Sequence, residues 1–282
     1  MSSSIKAVAL KACRHFMVPI ARFLLNVGVG YREFAEISKL AFVQVASDEF
    51  GIRGRKTNMS RVSIMTGLNR KEIKKLRDRL KNEDWTIDPQ LSKPVAVLMK
   101  WFTDPAYLGP RGAPIWLPFE SSGGRRSFTG LVKEVGGDVP PGAMLRELER
   151  AGCVKETKPD VWKAVKRQYS PGGVDLFQVQ RFGECLHDLA DTIGTNYLER
   201  TEPSERLFEF RAWADTVDPD SAEALRKLVA SRGNEYLEAV DNWLAGHQPS
   251  ASDAYDTDLM RCGVGVYYFE SRHNPLEKSA PT

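Results

Sequence analysis

The stretch Ser60-Arg61-Val62-Ser63-Ile64-Met65-Thr66-Gly67-Leu68-Asn69-Arg70-Lys71-Glu72-Ile73-Lys74-Lys75-Leu76 decides how the N-terminal part of this chain is read. Val62 gives a first short helix an apolar face, and Ser63 is small where two helices would cross closely. Gly67 permits the positive φ of a tight turn. Leu68 plugs the corner, and Asn69 is a favoured N-cap. Ile73, Leu76 and Leu80 recur at helical spacing on a second helix. The spacing therefore predicts two helices over 60–66 and 70–81 joined by a glycine turn. With the apolar stripe inward, Asn69, Arg70, Lys71, Lys74, Lys75 and Asp78 face out, which is the face a recognition helix offers to a major groove.

Charge sharpens that reading. The chain has 282 residues with 40 Lys+Arg and 37 Asp+Glu, a net of only +3. The distribution is uneven. Residues 1–170 carry 30 basic and 17 acidic side chains, and residues 171–282 carry 10 and 20. From Gly51 to Lys81 there are 11 basic residues against Glu72 and Asp78 alone. A concentrated surplus of this kind suits a polyanion, because each cation near a phosphate adds affinity through counterion release. The loop residues Arg53, Arg55 and Lys56, with Ser60 and Arg61, are expected to hold phosphates, and Arg77 joins the candidate set on the second helix.

Outward from this motif the chain reads as mainly α with a small β component. Helices are expected over 4–27 and 31–50, the latter stopped by Gly51. The first is amphipathic, with Ile5, Val8, Ala9, Ala12, Phe16, Ile20 and Phe23 near one face. Its apolar run is broken by Pro19, Arg22 and Asn26, so neither a membrane span nor a signal peptide is expected. Residues 94–102 suit a short helix or strand. The Pro- and Gly-rich stretch 103–126 suits an ordered loop with an apolar island at Ile115-Trp116-Leu117.

A second helical pair over 128–135 and 140–151, followed by strands at 154–156 and 161–169, looks like a winged helix. Gly136-Gly137 would be its turn and Asp138 its cap. Its second helix is a poor reader, since Glu147 and Glu149 offset Arg146 and Arg150. Its hairpin is basic through Lys155, Lys158, Lys163, Lys166 and Arg167, which suits contact with a sugar-phosphate backbone or a purely structural part. Trp162 among these bases is the one hint of an RNA-binding sheet.

Beyond Pro171-Gly172-Gly173 the expected order is helix 175–197, strand 207–216, helix 218–244 and strand 262–270, with a polar linker over 246–258. Alternation of Phe208, Phe210 and Ala212 with polar neighbours suggests a sheet with one buried face. This acidic unit is read as a dimerisation domain.

Enzyme signatures are absent from the sequence. The four histidines form no HExxH, no GxxxxGK[ST] loop or GxSxG elbow occurs, and no CxxC pairs the four cysteines. Glu184, Cys185, His187, Asp188 and Asp191 cluster on one predicted helix and read as a solvated acidic face.

Several segments also resemble an uncharacterised bacterial family catalogued only as a domain of unknown function. They are Tyr31-Arg32-Glu33-Phe34-Ala35-Glu36, the run 55–62, the run 66–73, Thr103-Asp104-Pro105 and Gly137-Asp138-Val139-Pro140-Pro141. The likeness covers most of the chain, to about residue 270. It implies a bacterial origin and a helix-turn-helix on the N-terminal side, and it brings no catalytic residues. The first module also resembles the winged-helix class of transcription regulators.

The sequence therefore predicts four parts: a helix-turn-helix domain over 1–102, a winged-helix-like module over 103–170, an acidic α+β domain over 171–270 and a tail over 271–282. The expected protein is no enzyme and takes no cofactor or metal. It binds double-stranded DNA as a cytoplasmic, nucleoid-associated regulator, homodimeric through 171–270. An RNA-binding protein, or an adaptor docking its basic part on an acidic protein, is the alternative.

Overall fold

The structure, a computed structural model, describes residues 4–52, 55–84, 88, 92–121, 126–136, 138–198, 202–248 and 259–271. Arg53, Gly137, most of the 246–258 linker and nearly all of the expected tail lie outside the described residues. The chain is an α+β protein, mainly helical, with one small antiparallel sheet. It divides into two units, Met1–Val179 and Gln180–Thr282.

In the first unit, α1 spans Ile5–Asn26 and α2 spans Tyr31–Asp48. Ser4 caps α1 by accepting the Ala7 N–H. No α1 residue is fully buried, so its apolar face is only half covered, through Met17, Ile20, Phe23 and Leu24. Its C-terminal end is tied down where the Gly172 N–H donates to the Asn26 carbonyl at 2.7 Å.

Helices α3 (Met59–Thr66) and α4 (Arg70–Lys81) follow. Together with α2 they enclose a first core of Leu40, Val43, Ala46, Val62, Ile73 and Leu76, edged by Met59, Leu68 and Leu80. These are the positions the sequence stripe places inward. No strand lies in this module among the described residues, so the winged-helix likeness expected of it has no counterpart there.

A second, larger core begins with α5 (Lys93–Thr103). Its Val97, Leu98 and Trp101 pack with Tyr107, Leu117, Phe128, Leu131 and Leu148. The boundary expected after residue 102 therefore falls before α5. Trp101 is wholly buried, and its indole N–H reaches a partner by donating to the Ile115 carbonyl at 2.9 Å.

The island at 115–117 becomes strand β1 (Leu117–Pro118), followed by α6 (Phe128–Val135) and α7 (Pro141–Arg150). Ser127 caps α6, and Pro140, rather than Asp138, sits at the N-cap of α7. Strands β2 (Val154–Lys158) and β3 (Val161–Ala164) close the sheet in the order β1-β3-β2, with Leu117 opposite Trp162 and Val154 opposite Ala164.

The second unit holds most of α8 (Leu176–Leu198) and all of α9 (Pro219–Ala245), which is capped by Asp218 with Pro219 at its first position. The strands expected at 207–216 and 262–270 do not form. Both segments run without a ladder, and no strand occurs in this unit among the described residues. Alternation marks a segment suited to pairing, but a ladder also needs a neighbouring strand, and no described segment supplies one. The acidic unit is two helices with two unladdered segments, not an α+β sheet domain.

Candidate nucleic-acid interface

The candidate surface is built on α4. Three local devices hold it. Gly67 takes φ +75° at the C-cap of α3, the turn that the sequence required. The Ser63 hydroxyl donates to the Leu68 carbonyl at 2.6 Å, and Thr66 Oγ1 donates to the Val62 carbonyl at 2.7 Å, so the corner is hydrogen-bonded as well as packed. Asn69 then caps α4, its side-chain oxygen accepting the Glu72 N–H at 2.9 Å. That carbonyl is spent on the cap.

Ile73 and Leu76 are buried, which turns Arg70, Lys71, Lys74, Lys75 and Asp78 outward, all exposed. Lys71, Lys74, Lys75 and Asp78 line one side of an open depression of about 360 Å³ that ends at Asn82 and Asp84. The acidic residue nearest this row, Glu72, is neutralised from behind. Lys39 on α2 sits 2.9 Å from its carboxylate and 2.8 Å from that of Glu36. Both carboxylates hold the Lys39 ammonium well above its ordinary range. Sequence spacing along α4 could not show this, because the partner lies on another helix.

The loop before α3 is pinned at both ends. Gly51 is needed because a Cβ there would strike the Arg55 carbonyl, across the short Ile52–Arg55 bridge. Buried Thr57 donates its N–H to the Ser47 carbonyl at 3.0 Å. Arg55 and Lys56 are exposed between these anchors, and Lys56 pairs with Asp48 at 2.9 Å. Ser60 and Arg61 lie half-buried on the first turn of α3. Arg53 is outside the described residues.

Arg77 is different. Its guanidinium turns inward, Nε donating to Ser47 Oγ at 3.0 Å and Nη2 to the Thr57 carbonyl at 2.6 Å. It braces α4, α2 and the loop together and is not on the outer face.

On the second module Lys155, Lys158, Lys166 and Arg167 are exposed, and Lys163 is half-buried. On α7, Arg150 is paired with Glu147 at 2.8 Å, and Arg146 is exposed a turn earlier. Trp162, the hint of an RNA-stacking sheet, is 9% exposed and belongs to the second core.

Elsewhere, Asp188 is engaged by Arg261, both nitrogens of the guanidinium donating at 2.7 and 2.9 Å. Among the described residues no group of three or more His, Cys, Asp or Glu could hold a metal ion. No described helix is long and apolar enough to cross a membrane.

Fold and surface together define an α+β chain whose N-terminal module presents an exposed cationic helix on a small three-helix core. The chain belongs to a family of unknown function, DUF6502, whose profile matches residues 5–276. No curated protein and no solved structure matches it.

Proposed function

We propose that this chain is a bacterial double-stranded DNA-binding protein, a transcription regulator rather than an enzyme, working as two copies through residues 171–270 and associated with the nucleoid. The observation that carries the reading is the cationic row Arg70, Lys71, Lys74 and Lys75 on α4, exposed on a helix whose back is fixed by Ile73 and Leu76. Twelve residues give α4 a length of about 18 Å, a span that enters a major groove as a recognition helix does. Neutralisation of Glu72 by Lys39 removes the main local repulsion toward phosphates. Arg55, Lys56, Ser60 and Arg61 flank the helix as backbone-contacting groups, and Arg53 adjoins them in sequence.

The second module follows the order helix, strand, helix, helix, strand, strand, with sheet order β1-β3-β2. We read it as a winged helix whose basic hairpin supports the complex through the phosphates. The RNA alternative loses its one motivating feature with the burial of Trp162. Competition tests the reading. A labelled duplex bound by the full chain is challenged with unlabelled duplex, with structured RNA and with polyglutamate. Displacement by duplex at far lower concentration than by either competitor supports it. Equal displacement by polyglutamate would leave only an acidic-surface adaptor.

A further inference from the structure

We propose that the second unit is completed by a second copy of this chain, whose segments Arg206–Val217 and Leu259–Glu270 pair with the same segments here to form an inter-copy sheet. This deepens the two-copy part of the reading above and stands whether or not the chain binds DNA.

The argument begins with a missing core. Helix α9 is 27 residues long and has no buried residue. Along 176–269, 21 large apolar side chains are substantially exposed, among them Phe177, Phe208, Phe210, Trp213, Trp243 and Met260. Ordering each backbone residue costs about 1–2 kcal/mol, and only burial of apolar surface offsets such a cost. A lone unit built this way lacks that offset.

The two segments are nevertheless held in place. Arg261 grips Asp188 on α8, and at the other end Arg226 on α9 grips Glu270 at 2.6 and 2.7 Å, so Leu259–Glu270 is clipped to both helices. Asn196 Nδ2 donates to the Leu207 carbonyl at 3.0 Å, and its oxygen accepts the Leu207 N–H at 2.9 Å, the way a neighbouring strand would. The Arg211 guanidinium lies 5.2 Å from the Phe269 ring centre, which sets the two segments side by side. Yet neither segment makes a backbone–backbone hydrogen bond with any described residue. They are positioned, β-patterned and unpaired, which is the condition of an edge awaiting a strand.

Area and charge select the occupant. The exposed apolar side chains offer on the order of 2,000 Å² per copy, the scale of an obligate homodimer interface and far above a monomer's ordinary patch. The unit is acidic overall, but Arg206–Val217 carries Arg206 and Arg211 against Glu209 and Asp215, and Leu259–Glu270 carries Arg261 against Glu270. Both segments are therefore neutral, so a two-fold axis can bring identical segments together antiparallel without stacking like charge.

The test uses the full chain without DNA: native mass spectrometry with hydrogen exchange, on the wild type and on Phe210→Asp with Val266→Asp. The expected wild type is a dimer whose amides at 207–217 and 261–269 exchange about 100-fold more slowly than in an unfolded chain. The variant is expected to be monomeric and to lose that protection while α5, α6 and α7 keep theirs. A wild-type monomer would overturn the proposal: with the segments protected, the same chain covers them, and with them unprotected, a different partner is needed. So would a dimer whose segments exchange at the unfolded rate, or a variant that remains a protected dimer.

Discussion

Arg77 Nε donates to Ser47 Oγ at 3.0 Å across 30 residues of sequence, joining α4 to the C-terminal end of α2. The same guanidinium reaches the Thr57 carbonyl, so one side chain fixes how the cationic helix sits on its core. Arg77→Ala leaves a buried hydroxyl and a carbonyl without their donor, a loss of about 1–3 kcal/mol. Arg77→Lys rescues little, since an ammonium lacks the planar fork. Chemical denaturation checks this. A variant of unchanged stability that binds DNA more weakly would instead make Arg77 a reader.

The turn makes a second prediction. A Cβ at Gly67 would meet no atom within 4 Å, so only the backbone angle, φ +75°, demands glycine. Gly67→Ala is expected to cost about 1 kcal/mol, and Gly67→Asn less, because asparagine tolerates the left-handed region. Thermal denaturation of the two variants gives the comparison. Equal losses for both would point to packing, which the open space denies.

Lys39 acts on the cationic face without belonging to it. Lys39→Met removes the countercharge from Glu72, which then repels phosphates beside Arg70. Duplex affinity at low salt is expected to fall about two- to fivefold, the scale of one partly exposed charge. Adding Glu72→Gln should restore it. Fluorescence anisotropy on the single and double variants checks the sign.

Acid should release the clips of the second unit. The Arg261 guanidinium holds the Asp188 carboxyl below its ordinary 3.8, and Arg226, then the Tyr268 hydroxyl, hold Glu270 below 4.5. Their folded values are depressed, so each contribution is fully present above the ordinary value. It is lost as pH falls through the lowered one. Nothing should change between pH 7 and 5, and release should come only below about pH 4. Carboxyl-carbon NMR titration should give midpoints under those ordinary values, with Arg261→Ala moving Asp188 upward and leaving Glu270 in place.

The legible parts of the fold are those governed by short-range pattern. The α3–α4 turn is readable because Gly67, Leu68 and Asn69 each have one strong local role, and the α4 face follows from the Ile73–Leu76–Leu80 stripe. Residues whose role depends on a distant partner are not legible. Arg77 reads as one more base on a basic helix until Ser47 and Thr57 are brought beneath it. Glu72 reads as an uncompensated acid until Lys39 arrives from α2. Trp162 sits among lysines in sequence, but the pleat of β3 turns it into the core. The segments at 207–216 and 262–270 have a strand's alternation, and alternation alone cannot say whether another strand lies alongside.

The central claim is that the α4 row binds duplex phosphates and bases, and the dependence of affinity on salt tests it most directly. Duplex binding by the wild type should weaken linearly in a plot of log affinity against log salt. Arg70→Ala with Lys74→Ala should shallow that slope by about 1.8, since each phosphate left without its cation removes about 0.9. A wild-type affinity indifferent to salt, or a double variant with the wild-type slope and affinity, would contradict it.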